Sequence, residues 1–298
     1  MIGRVSTFGL GQTMLSSSLS VQSKYANTAV QQSSGLASTT YGGLGSKASS
    51  LLSTEAATAQ LETWYTNTGT ALDRTESMYS AVGSMVDLLE NYRSTLSSAI
   101  SSTDTDGLDD TAADLLDDMA DLMNLQMDGR YLFAGSNTDT APVDTSLLST
   151  PSVPSSADSS YYTGDSEKAS VRVSGQQSIS YGVTADSTAF EKALRAINIV
   201  ASTSPLDQTA LEEAYDLATE ALDALIATQS GLSNTAARLE TAQSRQTNSI
   251  SLLESVASDL KEVDTAEVAV KLAQYETQLQ ASYSALGNLS SLSLVKYL

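Results

Sequence analysis

Aspartates are the residues of this sequence that could most readily do chemistry, and several fall in one stretch. The run Asp104-Thr-Asp106-Gly107 resembles the start of a calcium loop. In a calcium loop of the EF-hand type, positions 1 and 12 supply carboxylates. In that frame the two positions fall on Ser102 and Ala113, which carry none. We therefore interpret the run as a turn followed by the N-terminus of a helix, and not as a metal site.

A group of further aspartates follows on that predicted helix, whose apolar side is formed by Ala112, Leu115, Met119, Leu122 and Gln126. Helical spacing places the carboxylates on the opposite, solvated side. Hydrolysis of glycosides needs two carboxylates at a fixed separation in a cleft, and a solvated helix face offers no cleft. The aspartates in question are Asp109, Asp110, Asp114, Asp117, Asp118 and Asp121.

The sequence lacks the residues on which most nucleophilic catalysis depends. It contains no His and no Cys. A Ser-His-Asp triad is therefore impossible, as are disulfides and thiolate metal sites. No G-x-S-x-G motif is present among the many serines. We predict a protein that is not an enzyme and has neither a catalytic site nor a cofactor or metal.

Charge and hydropathy exclude two classes of partner. The formal net charge of −20 argues against nucleic acid, whose phosphates are bound by clustered Lys and Arg. No run approaches the roughly 18 apolar residues of a membrane span, so we expect no membrane insertion. Residues 1–25 lack the apolar core and cleavage site of a signal peptide, and residues 1–54 contain no acidic residue. We expect a cytoplasmic protein or one exported without a cleaved signal.

Two long helices must carry the rest of the chain. Between residues 61 and 100 a seam steps by four and three without a slip, which predicts a helix of about forty residues, or roughly 60 Å. A second unslipped seam runs from residue 211 to residue 260. The first seam is Leu61, Tyr65, Thr68, Leu72, Thr75, Tyr79, Val82, Val86, Leu89, Arg93, Leu96 and Ile100. The second is Leu211, Tyr215, Ala218, Leu222, Leu225, Gln229, Leu232, Ala236, Leu239, Gln243, Gln246, Ile250, Leu253, Ala257 and Leu260.

A separate helix follows the second seam, because the apolar stripe restarts one residue out of phase at Val268. Asp264 can cap this helix, with Glu267 at the spacing of a capping box. A domain boundary is therefore predicted near residues 261–266. The N-terminal 36 residues form a weaker helix, whose stripe is interrupted by Gln12, Gln22 and Ser33.

Both terminal helices need a partner, because apolar helix ends fray in water and polar-interrupted helices are marginal alone. They could close on each other within one chain, but we favour burial between subunits. We also predict that both ends, residues 1–36 and 268–298, are disordered in the isolated monomer. The candidate assembly residues are Ile2, Val5, Phe8, Leu15, Leu19, Val268, Leu272, Tyr275, Leu279, Leu286, Leu289, Leu292 and Leu294.

Short strands are predicted at residues 170–173 and 179–183, joined through Gly175. A Ser/Pro-rich loop is expected at 146–160, a helix at 190–200 and a turn at 39–46.

The fold class is mainly α: an elongated antiparallel coiled-coil or helical-bundle rod with paired terminal helices and a small β-rich insert. The expected domains are a terminal-helix assembly domain (1–40 with 264–298), a helical rod domain (41–133 with 186–263) and an outer β-containing insert domain (134–185).

Three stretches together resemble the flagellin superfamily. They are QQSSGLASTTYGGLGSKAS at 31–49, GRYLFAGSNTDTAPV at 129–143, and the segment 237–294, which begins ARLETAQSRQ. The second stretch and the closing LSSLSLVKYL favour the family of hook-associated junction proteins over filament flagellins. The paired Asp that usually follows Ser-Ser-Gly-Leu in flagellins is replaced by YGGLGSKA.

The resemblance implies a structural subunit at the hook–filament junction of a bacterial flagellum, outside the cell and reached by type III export. Expected partners are further copies of this chain in a ring, the adjacent hook-associated protein, flagellin and an export chaperone. Two alternatives remain open. One is a filament flagellin, and the other is a surface carbohydrate-binding member of the superfamily that uses Tyr161, Tyr162 and Tyr181, although three such tyrosines are more often packed than exposed.

Overall fold

Most residues lie in α-helices in the computed structural model, which describes residues 7–102 and 105–291 and the side chains of residues 9–102 and 105–288. This confirms the predicted class, mainly α with a small β-containing insert. Within the described ranges the helices are α1 (Thr7–Ser34), α2 (Lys47–Ser102), α3 (Leu108–Met123), α4 (Thr188–Ser202), α5 (Gln208–Lys261) and α6 (Thr265–Ser291), with short 3₁₀ helices at Tyr41–Leu44 and Thr145–Leu147.

Two small antiparallel hairpins lie between α3 and α4. Strands β3 (Ser170–Arg172) and β4 (Ser178–Ser180) lie near the strands predicted at 170–173 and 179–183, although β4 ends three residues earlier than predicted, and Val171 lies opposite Ile179 in the pair. Strands β1 (Gln126–Met127) and β2 (Arg130–Tyr131) form the other hairpin. The sequence prediction missed the β1–β2 hairpin, and it wrongly continued the α3 seam to Gln126.

The residues packed against one another fall into two units. The terminal unit comprises Met1–Ala59 and Ile250–Leu298, and the central unit comprises Gln60–Ser249. In the terminal unit, α1 packs along α6, which confirms that the two terminal helices pair. The division falls within the long helices α2 and α5.

The central unit is built around α4, which is buried on nearly every side. The Phe190 ring meets the Phe133 ring edge to face at 5.7 Å between centroids. The Tyr92 hydroxyl of α2 donates a hydrogen bond to the carbonyl of Ala196 (3.1 Å). The hydroxyl of Tyr161, which lies between α3 and α4, donates a hydrogen bond to the carbonyl of Ala185 (2.8 Å). These bonds satisfy the polar tips of buried aromatic rings.

A second apolar cluster seats the β3–β4 hairpin on the long helices. Val171 and Ile179 of the hairpin pack with Ala71 of α2 and Leu239 of α5. Beside them the buried Gln246 donates its Nε2 hydrogens to the carbonyl of Val173 (2.9 Å) and the hydroxyl of Thr68 (3.2 Å). One amide thus joins α5 to both the hairpin and α2.

The predicted seam of α5 is buried or half-buried at every position, so that register is confirmed. In the predicted α2 seam only Tyr65 and Tyr79 are exposed, and the other positions are buried or, at alternate steps, half-buried. Ala71 and Met78 are buried, whereas the predicted Tyr79 is 41% exposed. The predicted seam and the buried seam coincide at every second position, and from each of these the buried seam steps three residues and then four. Small or flexible side chains such as Ala71 and Met78 fill the close contacts, whereas the large Tyr79 lies at the edge of the packed face. The buried positions on this seam are Thr68, Ala71, Thr75, Met78, Val82, Met85, Leu89, Tyr92, Leu96 and Ala99, and Leu51 and Ala81 of α2 are buried as well.

The boundary between α5 and α6 lies where the phase break predicts it. α5 ends at Lys261 and α6 begins at Thr265. The Asp264 carboxylate accepts hydrogen bonds from the backbone N–H of Ala266 (2.9 Å) and Glu267 (3.2 Å). Asp264 is therefore the N-cap of α6, as the sequence predicts, while the Glu267 carboxylate pairs with Lys271 at 2.7 Å.

Candidate assembly surface

The predicted stripe of α6 forms the face that is buried in the terminal unit. Val268 and Leu279 are at most 8% exposed, and Leu272, Tyr275 and Leu286 are half-buried. Because α6 packs along α1, we infer that this stripe faces α1. The α6 seam is therefore occupied within a single chain.

The face of α1 that is buried is not the stripe predicted from its leucines. The buried or half-buried positions include Met14, Ser18, Val21, Tyr25 and Thr28. The most buried of them, Ser18 and Thr28, are small and polar. Large Leu and Tyr side chains on α6 pack well against such small positions, because alternating sizes let two helices approach closely.

The leucines of α1 form a second face, which is open to solvent. Leu15 is 52% exposed, Leu19 57% and Val30 51%, and Ala26 is also exposed. Successive residues of an α-helix are about 100° apart, so these positions lie roughly a third of a turn around α1 from the buried face. An apolar face that no described part of its own chain covers marks an interaction surface.

Exposed apolar side chains concentrate in the terminal unit, although it is the smaller of the two. Ten of the fifteen exposed large apolar residues of the described chain lie there. Such clustering is typical of a surface that becomes buried in an assembly. The ten are Leu10, Leu15, Leu19, Val30, Tyr41, Leu52, Leu252, Val256, Val270 and Tyr283.

Net negative charge, in contrast, is concentrated in the central unit. The terminal unit contains seven acidic and six basic residues, a net charge of −1. The central unit contains 28 acidic and nine basic residues, a net charge of −19. Interface cores are depleted in charged residues. The near-neutral, apolar terminal unit therefore suits close packing against other copies.

The link between α1 and α2 is tied to the α5–α6 junction. The backbone N–H of Ala37 donates to the carbonyl of Lys261 (2.7 Å), and that of Val263 donates to the carbonyl of Gly35 (3.0 Å). The Lys261 ammonium lies 2.5 Å from the Glu55 carboxylate, which also accepts a hydrogen bond from the Tyr41 hydroxyl (2.8 Å). Residues 35–37, with Tyr41 of the predicted turn at 39–46, thus tie this link to the α5–α6 junction.

These contacts also perturb the titration of the three side chains. The hydrogen bond from Lys261, and then that from Tyr41, lowers the pKa of Glu55. The bond to Glu55 raises the pKa of Lys261 and that of Tyr41. All three shifts favour the ionised Glu55–Lys261 pair with a protonated Tyr41 near neutral pH.

Several predicted assembly residues fall beyond these observations. Ile2, Val5, Leu292 and Leu294 lie outside the described residues, as do the side chains of Phe8 and Leu289. The role of all thirteen residues in assembly stays a prediction.

The aspartates and tyrosines singled out from the sequence occupy surface and core positions respectively. The six aspartates of α3 are exposed, and Gly107, with φ 69°, forms the turn before α3. Asp104 lies outside the described residues. Tyr161 and Tyr181 are buried, and the Tyr162 hydroxyl donates to the carbonyl of Asp165 (2.6 Å). These rings are packed and form no exposed platform for a sugar.

Among the residues that the structure describes, no group of three or more His, Cys, Asp or Glu could hold a metal ion. None of the described helices is both long and apolar enough to span a membrane.

The C-terminal third of the sequence matches a known family. Residues 215–298 match the family model described as the bacterial flagellin C-terminal helical region. This chain carries a flagellin C-terminal region. The match covers α5 from residue 215 onward, the capped junction and α6, and it confirms the resemblance to the flagellin superfamily drawn from the sequence. A search of curated proteins finds no match.

Solved structures share the fold. A putative flagellar hook-associated protein from Vibrio parahaemolyticus matches with a TM-score of 0.55 and 15% identity, covering 71% of this chain and 96% of that one. FlgL from Bacillus cereus and flagellar hook-associated protein 3 from Legionella pneumophila match with the same score and identity, covering 70% of this chain and 98% of theirs. The flagellin C-terminal region thus belongs to a chain with the fold of hook-associated proteins.

Proposed function

We propose that this chain is a structural subunit of a bacterial flagellum at the hook–filament junction. Its terminal helices assemble with neighbouring subunits and connect the hook-associated proteins to the flagellin filament. The observation that carries the proposal is the solvent-exposed apolar face of α1, in a unit of net charge −1. The flagellin C-terminal region and the fold shared with three hook-associated proteins support it.

The energetics favour assembly over a self-contained monomer. The α1–α6 pair buries small polar residues on α1, so the pair alone is weakly stabilised. Burying a Leu or Val side chain completely contributes about 1.5–3 kcal/mol. Roughly half of Leu15, Leu19 and Val30 remains to be buried, and each therefore supplies about 1 kcal/mol to contact with another subunit.

The proposal divides the chain by role. Residues 1–40 with 264–298 form the assembly domain, residues 41–133 with 186–263 the rod, and residues 134–185 an outer insert. The partners are copies of this chain in a ring, the adjacent hook-associated protein, flagellin and an export chaperone. The protein acts outside the cell in the flagellum and catalyses no reaction.

The test is deletion of this chain from its host. We expect hooks that carry no filament and flagellin that escapes into the medium, with both defects reversed by the intact gene. Electron microscopy counts the hooks and filaments, and an immunoblot of the medium measures flagellin. Filaments of normal number and length in the deletion strain would contradict the proposal.

The second candidate is a filament flagellin, which the family model over residues 215–298 also favours. The same deletion separates the two. Loss of a filament flagellin removes the protein that would escape, so the medium would contain no flagellin from this or any other chain.

A further inference from the structure

Three of the nine basic residues of the central unit line one cavity. Arg74 of α2, Arg130 of β2 and Lys168, just before β3, border a space of about 370 Å³. They are 56 and 38 residues apart in sequence, and the fold brings them to the same walls. In a unit with 28 acidic residues, the expected surroundings of a basic side chain are carboxylates.

None of the three has such a partner. The ion pairs within the described ranges involve Lys192, Arg195, Lys261 and Lys271 only. The Nε of Arg74 is shielded from solvent and makes no hydrogen bond. A buried donor left unpaired destabilises the folded state, so a native protein that keeps one calls for an explanation.

Nearby acids do not neutralise the cavity. The Asp165 carboxylate is engaged by its own loop, where it accepts hydrogen bonds from the backbone N–H of Ser136 (2.9 Å) and of Glu167 (2.9 Å) and from the Ser136 hydroxyl. The Ser136 hydrogen bonds lower the pKa of Asp165. Glu167 borders the cavity, but its carboxylate is exposed and lies in no ion pair with the three cations.

The walls are held in place before any ligand arrives. The Nε of Arg130 donates to the Thr138 hydroxyl (3.0 Å), and the backbone N–H of Tyr131 donates to the Thr138 carbonyl (2.9 Å). Gly135, with φ 73°, lets the loop pass so close to Asp165 that an added Cβ would lie 2.2 Å from its carbonyl oxygen. Fixed donors of this kind bind without first being ordered.

We propose that this cavity binds a small polar molecule that carries a carboxylate or a phosphate group. The guanidinium and ammonium groups hold the anion, since charge-assisted hydrogen bonds to such oxygens are the strongest available to a protein. The volume lies in the range of small-molecule sites and exceeds what a bare oxyanion fills. The hydroxyls of Ser136 and Thr138, which also line the cavity, contact the uncharged part of the ligand.

The experiment uses three probes that share one ring. Glucose, glucuronate and glucose 6-phosphate are titrated calorimetrically into the full-length protein at constant ionic strength. We expect one of the two anions to bind at millimolar concentration or better and glucose not to bind. The anion that binds identifies the charged group. No binding by either anion would overturn the proposal.

Variants decide whether the cavity is the site. Arg130→Gln and Lys168→Gln change exposed side chains, so the fold is kept, and each should weaken anion binding about tenfold, or about 1.4 kcal/mol. Arg245→Gln, on exposed α5 surface outside the cavity, is the matched loss of one charge and should leave binding unchanged. Equal weakening by Arg245→Gln would mean diffuse charge attraction and would refute the site.

Discussion

The open face of α1 gives the sharpest test of the proposed assembly. The perturbation is the double substitution Leu15→Asp with Leu19→Asp. Each leucine is about half exposed in the single chain. The part still to be buried therefore contributes about 1 kcal/mol per leucine to contact with another subunit. Two carboxylates placed there would add a desolvation cost of several kcal/mol for each charge taken out of water.

The summed loss exceeds about 5 kcal/mol per subunit, which lowers the association constant by more than about a thousandfold. The folded monomer should hardly change, because substitutions at exposed positions usually alter stability by no more than about 0.5 kcal/mol. Monomer stability is measured by urea unfolding followed by circular dichroism. Assembly is measured by expressing the variant in the deletion strain. Filaments are then counted, and the amount of flagellin in the medium is determined.

The matched control moves the same two charges by one position. Ser16→Asp with Ser20→Asp places them on exposed polar positions of α1, on a side that carries neither the buried face nor the leucines. We expect this control to restore filaments. Restoration by the leucine variant, or equal failure of both variants, would refute assignment of the leucine face to assembly.

Three further predictions concern stability and order. In dilute monomer, amides of residues 1–36 and 268–298 should exchange rapidly with solvent and become protected in the filament; strong protection in the monomer would count against assembly-dependent ordering. Hydrogen bonds, chiefly from Ser160, lower the pKa of Asp158 to about 2 in the folded protein. The ionised carboxylate therefore stabilises the fold at pH values above its unfolded pKa near 4, and this contribution is lost as the pH falls through 2. Asp158→Asn should therefore cost about 1 kcal/mol at pH 7, after allowance for solvent screening, and nothing near pH 2, as measured by urea unfolding against pH. Gln246→Ala should cost about 1–3 kcal/mol by leaving its buried partners unpaired, while Gln243→Ala, one turn away and without these bonds, should cost clearly less.

The parts predicted well from the sequence are those where large aliphatic residues repeat without ambiguity. The α5 seam and the α6 stripe keep one register on mostly apolar residues, with Gln229, Gln243 and Gln246 at the same phase of α5, so periodicity fixes their buried faces. In α2 the choice is less clear. Ala71 lies next to Leu72, and Met78 next to Tyr79. Hydrophobicity favours the larger residue of each pair, whereas packing against the neighbouring elements selects the smaller or more flexible one.

The missed β1–β2 hairpin had a signal in the sequence. Asp128 and Gly129 connect its strands with φ of 53° and 71°, the backbone that a two-residue hairpin turn of type I′ requires. An Asp-Gly pair is among the strongest short-range hairpin signals. Strands of two residues, however, are too short to show alternation, so the turn was the only signal available.

The orientation of α1 and the basic cavity could not be read from the chain. The α1 leucines form the more apolar face, but the face that packs within the chain is the one whose small side chains fit the α6 stripe. Complementarity to a partner decides this, and no property of α1 alone reveals it. Arg74, Arg130 and Lys168 likewise become neighbours only through the tertiary fold.

The division of charge makes sense if many terminal units meet in one assembly. Like charges brought together repel, and in physiological salt this repulsion acts strongly within about 8 Å. A unit of charge −19 packed against its own copies would oppose assembly at every contact. A unit of charge −1, with α1 nearly free of charged residues, does not. The excess of acidic residues in the central unit still keeps the subunit soluble before assembly. The same division predicts that acidic substitutions in α1 are more harmful than equal numbers of them on the exposed surface of α3, where six aspartates are already tolerated.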